Sequence, residues 1–399
     1  MDSIDLINLK KKNSKSYIGP KIETNKKTKF LKFLKCLKCI DLKMIILCSI
    51  LISNLYLIYL FKSKLNFTRE SLESKGSRTD ENTFSPHSFF SNISKSDKES
   101  KGESIIKESI AMQKDFCDNS NKYLNQQYEN MIKLTDFTFK NINYQINVYK
   151  EGDNYMSNYI IRTKGYVVKE MTNFYNALEH YGKIKNILNK KDIYMLDLGG
   201  NLGVYPSYFG RLGYTVISFE ASPRNYYILK KNYCQINRNA ENIIIINRGL
   251  SNQEKICNYY TQIKGLGNGM LKCDENKESI DNNGFHWIKT FQVPIIKLSS
   301  FIPYLAKKNL ALIKLDIEGS EPLVMQDSIE FITKYHIPYI FSEFNIDMIT
   351  EHGNNPREYI KLFTDNGYKV NLEGFLSQNF IPPENVRSGD LYFTYYGNQ

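Results

Sequence analysis

Residues 192–220 read DIYMLDLGGNLGVYPSYFGRLGYTVISFE, and their patterning decides the fold. A continuous apolar run at 193–198 has the length of a buried strand. It feeds Gly199-Gly200-Asn201-Leu202-Gly203, then helical spacing at 204–212, then a second strand-like run at 215–219 that ends on Glu220. That succession is a βαβ nucleotide-binding unit. Its glycines permit a tight turn and a close approach of backbone to ligand, and an acidic side chain about 20 positions on bonds ribose hydroxyls. Outward from it, strand-like and helix-like segments alternate to the end of the chain, with a strand pair expected at 137–149 and helical spacing at 158–181. Such alternation predicts an α/β, Rossmann-like domain at 116–399, its core at about 190–395, with a mostly parallel sheet flanked by helices.

The loop departs from the dinucleotide fingerprint GxGxxG, because Asn201 stands where the second glycine belongs. It reads Asp-x-Gly-x-x-x-Gly, with Asp197 at the strand end. A carboxylate there repels a pyrophosphate but offsets the ammonium and sulfonium of S-adenosylmethionine, so charge favours the methyl donor. A dinucleotide, or a strand–turn–helix without ligand, are the competing readings.

Farther along, the apolar run 311–315 leads into DIEGSE at 316–321, and YIFSEF at 339–344 carries Glu343. Ligands of open α/β sheets bind outside the carboxyl ends of strands, where Asp316 and Glu343 are expected. Residues two apart on a strand share a face, so Glu318 joins Asp316 if the strand extends that far. Three carboxylates near a sulfonium suit base catalysis on an acceptor hydroxyl: Asp316 or Glu343 as the base, Glu318 orienting. A divalent metal held by the same oxygens is the rival reading and is not expected. Glu321 suits the N-terminal dipole of a helix, and Lys314 reads as structural or ion-paired. His352, or His286 with Trp287, are alternative contacts to an acceptor. The run 264–269 lacks the Gly-Lys-Ser/Thr ending of a phosphate loop and reads as a lid or hairpin turn.

These motifs resemble the FkbM family of S-adenosylmethionine-dependent methyltransferases over roughly residues 135–395. The matching pieces are LDLGGNLGVYPSYFGRLGY (196–214), VISFEASPRNYYILKKN (216–232), INRGLSN (246–252), LIKLDIEGSEPLVMQ (312–326) and IPYIFSEFN (337–345). The first is common to many methyltransferases, whereas DIEGSE is far more specific to this family. The resemblance implies a class I methyltransferase fold and O-methylation. It also implies a cofactor site in which Asp197, Gly199, Gly200, Asn201 and Gly203 line the methionine end, Glu220 the ribose, and Ala221 with Ser222 the adenine edge. Gly249, after the third strand, would also touch the adenine. The family's commoner residue at position 200 is Ala, and Pro206 falls in the first turns of the following helix, where proline is tolerated.

The chain has 399 residues and a net charge of +11, which suggests a nucleic-acid binder until the excess is located. Residues 1–43 hold 12 Lys against 4 acids, which is +8, and the other 356 residues hold 41 bases against 38 acids. No distributed basic groove is expected, and so no nucleic acid. Residues 44–61, MIILCSILISNLYLIYLF, carry no charge and read as one transmembrane signal-anchor helix. Seven Lys at 24–43 against five Lys/Arg at 62–81 place the 1–43 tail in the cytosol and the rest in a secretory-pathway lumen or outside. Residues 62–115, with 12 Ser and few aliphatics, read as a flexible stem with sequons at Asn66 and Asn92. Cys117, Cys234, Cys257 and Cys273 could pair in a lumen, without a connectivity the sequence defines. The expected function is thus a membrane-anchored methyltransferase acting on a hydroxyl of a glycan or glycolipid. A cytosol-facing enzyme acting on lipid or protein, and an inactive tethered binding protein, are the alternatives.

Overall fold

A computed structural model describes residues 100–397, apart from 237–240 and 283. The tail, the apolar segment 44–61 and stem residues 62–99 lie outside the described residues. Among the described residues no helix is long and apolar enough to cross a membrane.

The described chain opens with α1 (Lys101–Asp118), α2 (Gln126–Met131), the hairpin β1 (Ile132–Phe139) and β2 (Ile142–Tyr149), then α3 (Met156–Thr163) and α4 (Val168–Ile184). Next come β3 (Ile193–Leu198), α5 (Val204–Arg211), β4 (Thr215–Phe219), α6 (Pro223–Cys234) and β5 (Ile243–Ile246). An inserted group follows: β6 (Gly249–Leu250), β7 (Lys255–Gln262), β8 (Gly265–Lys272), β9 (Ser279–Asn282) and β10 (Phe285–Ile296). The chain closes with α7 (Ile302–Leu305), β11 (Asn309–Leu315), α8 (Glu321–Lys334), β12 (Tyr339–Phe344), α9 (Ile346–Glu351), α10 (Pro356–Thr364), β13 (Tyr368–Asn371) and β14 (Gly389–Tyr395).

Seven strands form the central sheet in the order β13-β14-β12-β11-β3-β4-β5. The five from β12 to β5 are parallel, and β14 runs antiparallel to both its neighbours, so the sheet is mixed. β4 and β5 are buried along their whole length because helices cover both faces, which is why they read as unbroken apolar runs. One face packs Phe174 of α4, Phe209 of α5 and Ile228 of α6 into a core with the β1–β2 hairpin. The other packs Ile106 of α1, Val324 of α8 and Phe363 of α10. The expected strand pair is present as β1 and β2. The helical spacing of 158–181 is interrupted between α3 and α4, where Lys164 and Val167 adopt left-handed φ of 58° and 37°.

The stem boundary at 115 needs correction. α1 begins at Lys101 behind a capping box, in which Ser100 Oγ accepts from Glu103 N and Glu103 Oε2 accepts from Ser100 N. Its Ile105, Ile106, Phe116 and Cys117 are buried, so apolar burial holds this segment in the domain despite its polar composition. Gln113 covers the sheet edge: its Nε2 donates to Ile243 O (2.8 Å) and its Oε1 accepts from Ile245 N (3.1 Å). A side-chain amide thus satisfies edge groups that would otherwise invite another strand. A disulfide from Cys117 to Cys234 ties α1 to the end of α6.

The inserted strands build a second sheet, β6-β10-β7-β8 with β9 on β10. The run 264–269 is the β7–β8 turn and the start of β8, and a Cys257–Cys273 disulfide joins the two strands' far ends.

Candidate active site

Strand register brings the site together. The pairs Leu198↔Phe219, Leu315↔Leu198 and Leu315↔Ser342 place Glu220, Gly199, Asp316 and Glu343 on one line, a residue beyond the last pairs. Glu343 itself pairs with Asp390 of β14. Residues in register point to the same face, and neighbouring strands lie about 4.8 Å apart. The line therefore presents four carboxyl side chains around one glycine. That glycine sits between β3 and β11, where the strand order reverses and open α/β sheets bind ligands.

A second row supports this one from two residues earlier: Ser218, Asp197 and Lys314, also in register. Ser218 Oγ donates to Asp197 Oδ2 at 2.8 Å. Lys314 Nζ lies 3.2 Å from Asp197 Oδ1 and 3.5 Å from Asp316 Oδ2, and donates to Gly199 O at 2.9 Å. Side-chain exposure is 1% for Lys314 and 0% for Asp197, so this pair is a buried support for the turn above it. Burial alone would lower the Lys314 pKa, but Asp316 and Asp197 outweigh it and hold the ammonium above its usual range.

The turn is close-packed. Gly199 has φ +94°, and a Cβ there would fall 1.8 Å from Asp316 O. A Cβ on Gly200 would lie 2.2 Å from Ser218 Oγ, so the family's commoner Ala has no room beside this serine. Asn201 takes a left-handed φ of 48°, which asparagine tolerates. Its backbone N–H donates to Glu220 Oε2 (2.7 Å), while Ser222 N donates to Oε1 (2.8 Å), so Glu220 clips the loop to the next strand.

Two cavities meet at Gly199, Asn201 and Asp316. The first is lined by Glu220, Ala221, Gly249, Tyr259 and Glu318, with Gly267 and Gly269 of β8 against it. The second is lined by Tyr166, Glu170, Tyr205, Phe341, Glu343 and Asp390. Val167, held in strained left-handed backbone, also lines it. Burial pushes Glu220 up to about 7, and burial with Asp316 and Glu321 pushes Glu318 up to about 8. Burial with Asp390 takes Glu170 to about 8, and burial with Asp316 raises Glu343 well above the carboxylate range.

Because these folded values exceed the unfolded ones, the stability the groups contribute is complete below the unfolded carboxylate pKa and is lost as pH rises through 7 to 8. The melting temperature of the ligand-free protein should therefore fall between about pH 5 and about pH 8.5; a flat or rising curve would contradict this reading. Glu129 and Glu179, whose pKa values are lowered by Lys231 and Lys190 against the opposing effect of burial, lose their contribution only at lower pH, outside that window.

Several expected site residues are placed differently. Gly199, Asn201, Glu220, Ala221 and Gly249 line the first cavity. Asp197 does not line it: it is wholly buried and paired with Lys314, so repulsion of a pyrophosphate cannot rest on it. Gly200 lines the second cavity. Gly203 packs against Leu229, and Ser222 caps α6 through Asn225 N. Glu318 does not share a strand face with Asp316, because β11 stops at Leu315 and Glu318 turns at φ +56°, although both line the first cavity. Glu321 accepts from Ile317 N (2.8 Å) and closes that turn. Both ring nitrogens of His352 face carbonyl oxygens, of Met348 and Leu271, and His286 pairs with exposed Asp281; neither lines the two cavities. Among the described residues no three His, Cys, Asp or Glu side chains are arranged to hold a metal ion. Tyr166, Glu170, Tyr259 and Asp390 escaped the sequence reading, since register and helix docking place them.

Residues 197–370 match the family model described as Methyltransferase FkbM domain, so the resemblance drawn from the motifs holds over that segment, which carries Asp197 to Glu343 of the site but not Tyr166, Glu170 or Asp390. No curated protein matches the chain. Among solved structures, cofactor-bound Rv0187 from MTB aligns at 10% identity and TM-score 0.31, covering 58% of this chain and 83% of that one. The O-methyltransferase from Bacillus cereus in complex with SAH aligns at 13% identity and TM-score 0.27, covering 55% and 81%. The N-terminal domain of human METTL16 aligns at 11% identity and TM-score 0.31, covering 72% and 94%.

Proposed function

We propose that this chain is an S-adenosylmethionine-dependent O-methyltransferase, anchored by residues 44–61, that acts on a hydroxyl of a glycan or glycolipid on the lumenal side of the membrane. The observation that carries the reading is the acid line, which runs from one cavity into the other and crosses from the first to the second at Asp316.

The first cavity suits the methyl donor. Asn201 Oδ1 is buried there without a partner, and Gly249 packs too closely on Ile295 and Leu271 to carry a side chain. Asp316 offers negative charge to a ligand bearing a sulfonium and an ammonium, and such a ligand would draw the protons from Glu220 and Glu318, which burial holds up at about 7 and about 8. When bound, S-adenosylmethionine supplies an electrophilic methyl group.

The second cavity suits the acceptor. Asp316 is the group common to both cavities and takes the proton of the acceptor hydroxyl as general base. Glu343, protonated because burial and its neighbours raise it, donates to Asp316 and orients it. Lys314 steadies the carboxylate from below at 3.5 Å. Tyr166 and Phe341 wall the cavity and exclude water.

The two disulfides pair all four described cysteines, which favours an oxidising compartment and hence the lumenal orientation over the cytosolic one. Mass spectrometry of glycans and lipids from cells with and without the active enzyme tests the function directly. Loss of a methylated glycan on inactivation is expected, and an unchanged glycan profile with a changed protein or lipid methylation would sink the glycan assignment. Glycosidase-sensitive mobility of the Asn66 and Asn92 sequons tests the orientation in the same cells.

A further inference from the structure

We propose that Glu170 and Asp390 are the acceptor-recognition pair of this site and accept hydrogen bonds from two neighbouring hydroxyls of a neutral sugar ring, an inference that rests on the methyltransferase reading. Asp390 lies on the register line one strand beyond Glu343, and Glu170 meets it from the first turn of α4. The pair is thus about two strand spacings, ~10 Å, from Asp316 and lines the same cavity. Glu170 is only 9% exposed; it shares a hydrogen bond with Asp390, and no protein N–H or hydroxyl reaches its Oε2. A buried carboxyl oxygen left without a donor is costly, and a ligand hydroxyl supplies what the protein withholds.

Two further features define the ligand. Among the described residues four carboxyl groups line the cavity, and the one lining cation, Lys314, is engaged by Asp197 and Asp316. A phosphate, sulfate or uronate would meet repulsion with no free cation among those lining residues to offset it. Tyr166, Tyr205 and Phe341 offer apolar faces to the C–H surface of a ring. Without ligand, burial and the neighbouring Asp390 hold Glu170 up at about 8, which spares the pair two adjacent charges at neutral pH.

The test is saturation-transfer NMR on the full chain, with S-adenosylhomocysteine present and its affinity measured for every variant. Probes are methyl glucoside, galactoside and mannoside, then glucuronic acid, glucose 6-phosphate and glucosamine. At least one neutral glycoside should show saturation transfer while the two anionic sugars show none. E170A and D390A should each weaken that signal at least tenfold without changing S-adenosylhomocysteine affinity, which also reports an intact fold. Equal binding of an anionic sugar, much tighter binding of glucosamine, no binding of any neutral glycoside, or full binding by both variants overturns the assignment while the methyltransferase reading stands. If the wild-type protein does not bind S-adenosylhomocysteine, that reading fails and this assignment with it.

Discussion

Asp316→Asn is expected to lower turnover by about 10²–10⁴-fold while leaving affinity for S-adenosylhomocysteine within a few-fold. The substitution keeps size and hydrogen bonding but removes the ability to take a proton. Asp316 follows β11 directly, lines both cavities, and sits over Gly199, whose missing side chain leaves room for its backbone carbonyl. A residue that only shaped the cofactor cavity would lose affinity and turnover together, so the split between them carries the information. Glu343→Gln should cost less, because an amide can still donate to Asp316 as the protonated acid does. Single-turnover methyl transfer against a calorimetric affinity separates these outcomes. An Asp316→Asn enzyme of full activity would show that the base lies elsewhere on the line.

Lys314→Met carries the second large effect, this time on folding. It leaves Asp197 as an uncompensated charge at 0% exposure, a change that costs about 3–5 kcal/mol when one partner of a buried pair is removed. It also removes the donor to Gly199 O, so the turn between the two cavities loosens. Set against a total stability of about 5–15 kcal/mol, that loss shifts a denaturant midpoint substantially. Combining it with Asp197→Leu should restore part of the stability, since the stranded charge goes too, yet cofactor affinity should stay low. Urea titration of the single and double variants measures this. Equal stability of Lys314→Met and wild type would mean that Asp197 is neutral in the fold and the pair is no support.

How much of this was legible in the sequence follows from what local pattern can encode. The apolar run before Gly199, the acid that closes β4 and the DIEGSE stretch are local signals, and they located β3, β4, β11 and the rim of the first cavity. The register line is not local. It depends on β3, β11, β12 and β14 pairing across long separations, and Asp390 joins it through an antiparallel strand that alternation did not reveal. Lys314 read as structural from its strand position, but its partner Asp197 read as a ligand contact because the sequence does not show which side of the turn faces the cavity. Glu318 was misplaced for a conformational reason: Gly319, at φ +94°, belongs to a turn that ends the strand before alternation could carry Glu318 to the same face. α1 was missed where composition outweighed pattern, although Ser100 with Glu103, and the spacing of Ile105, Ile106 and Phe116, were readable helix signals.

The central claim is that the acid line at the strand switch point forms a cofactor cavity for a cationic methyl donor. Calorimetric titration of the full chain with S-adenosylmethionine, S-adenosylhomocysteine and NAD tests it most directly. One site is expected for each of the two adenosyl ligands, with loss of both in Glu220→Ala and no heat with NAD. Binding of NAD in their place, or no binding of either adenosyl ligand to folded protein, would contradict it.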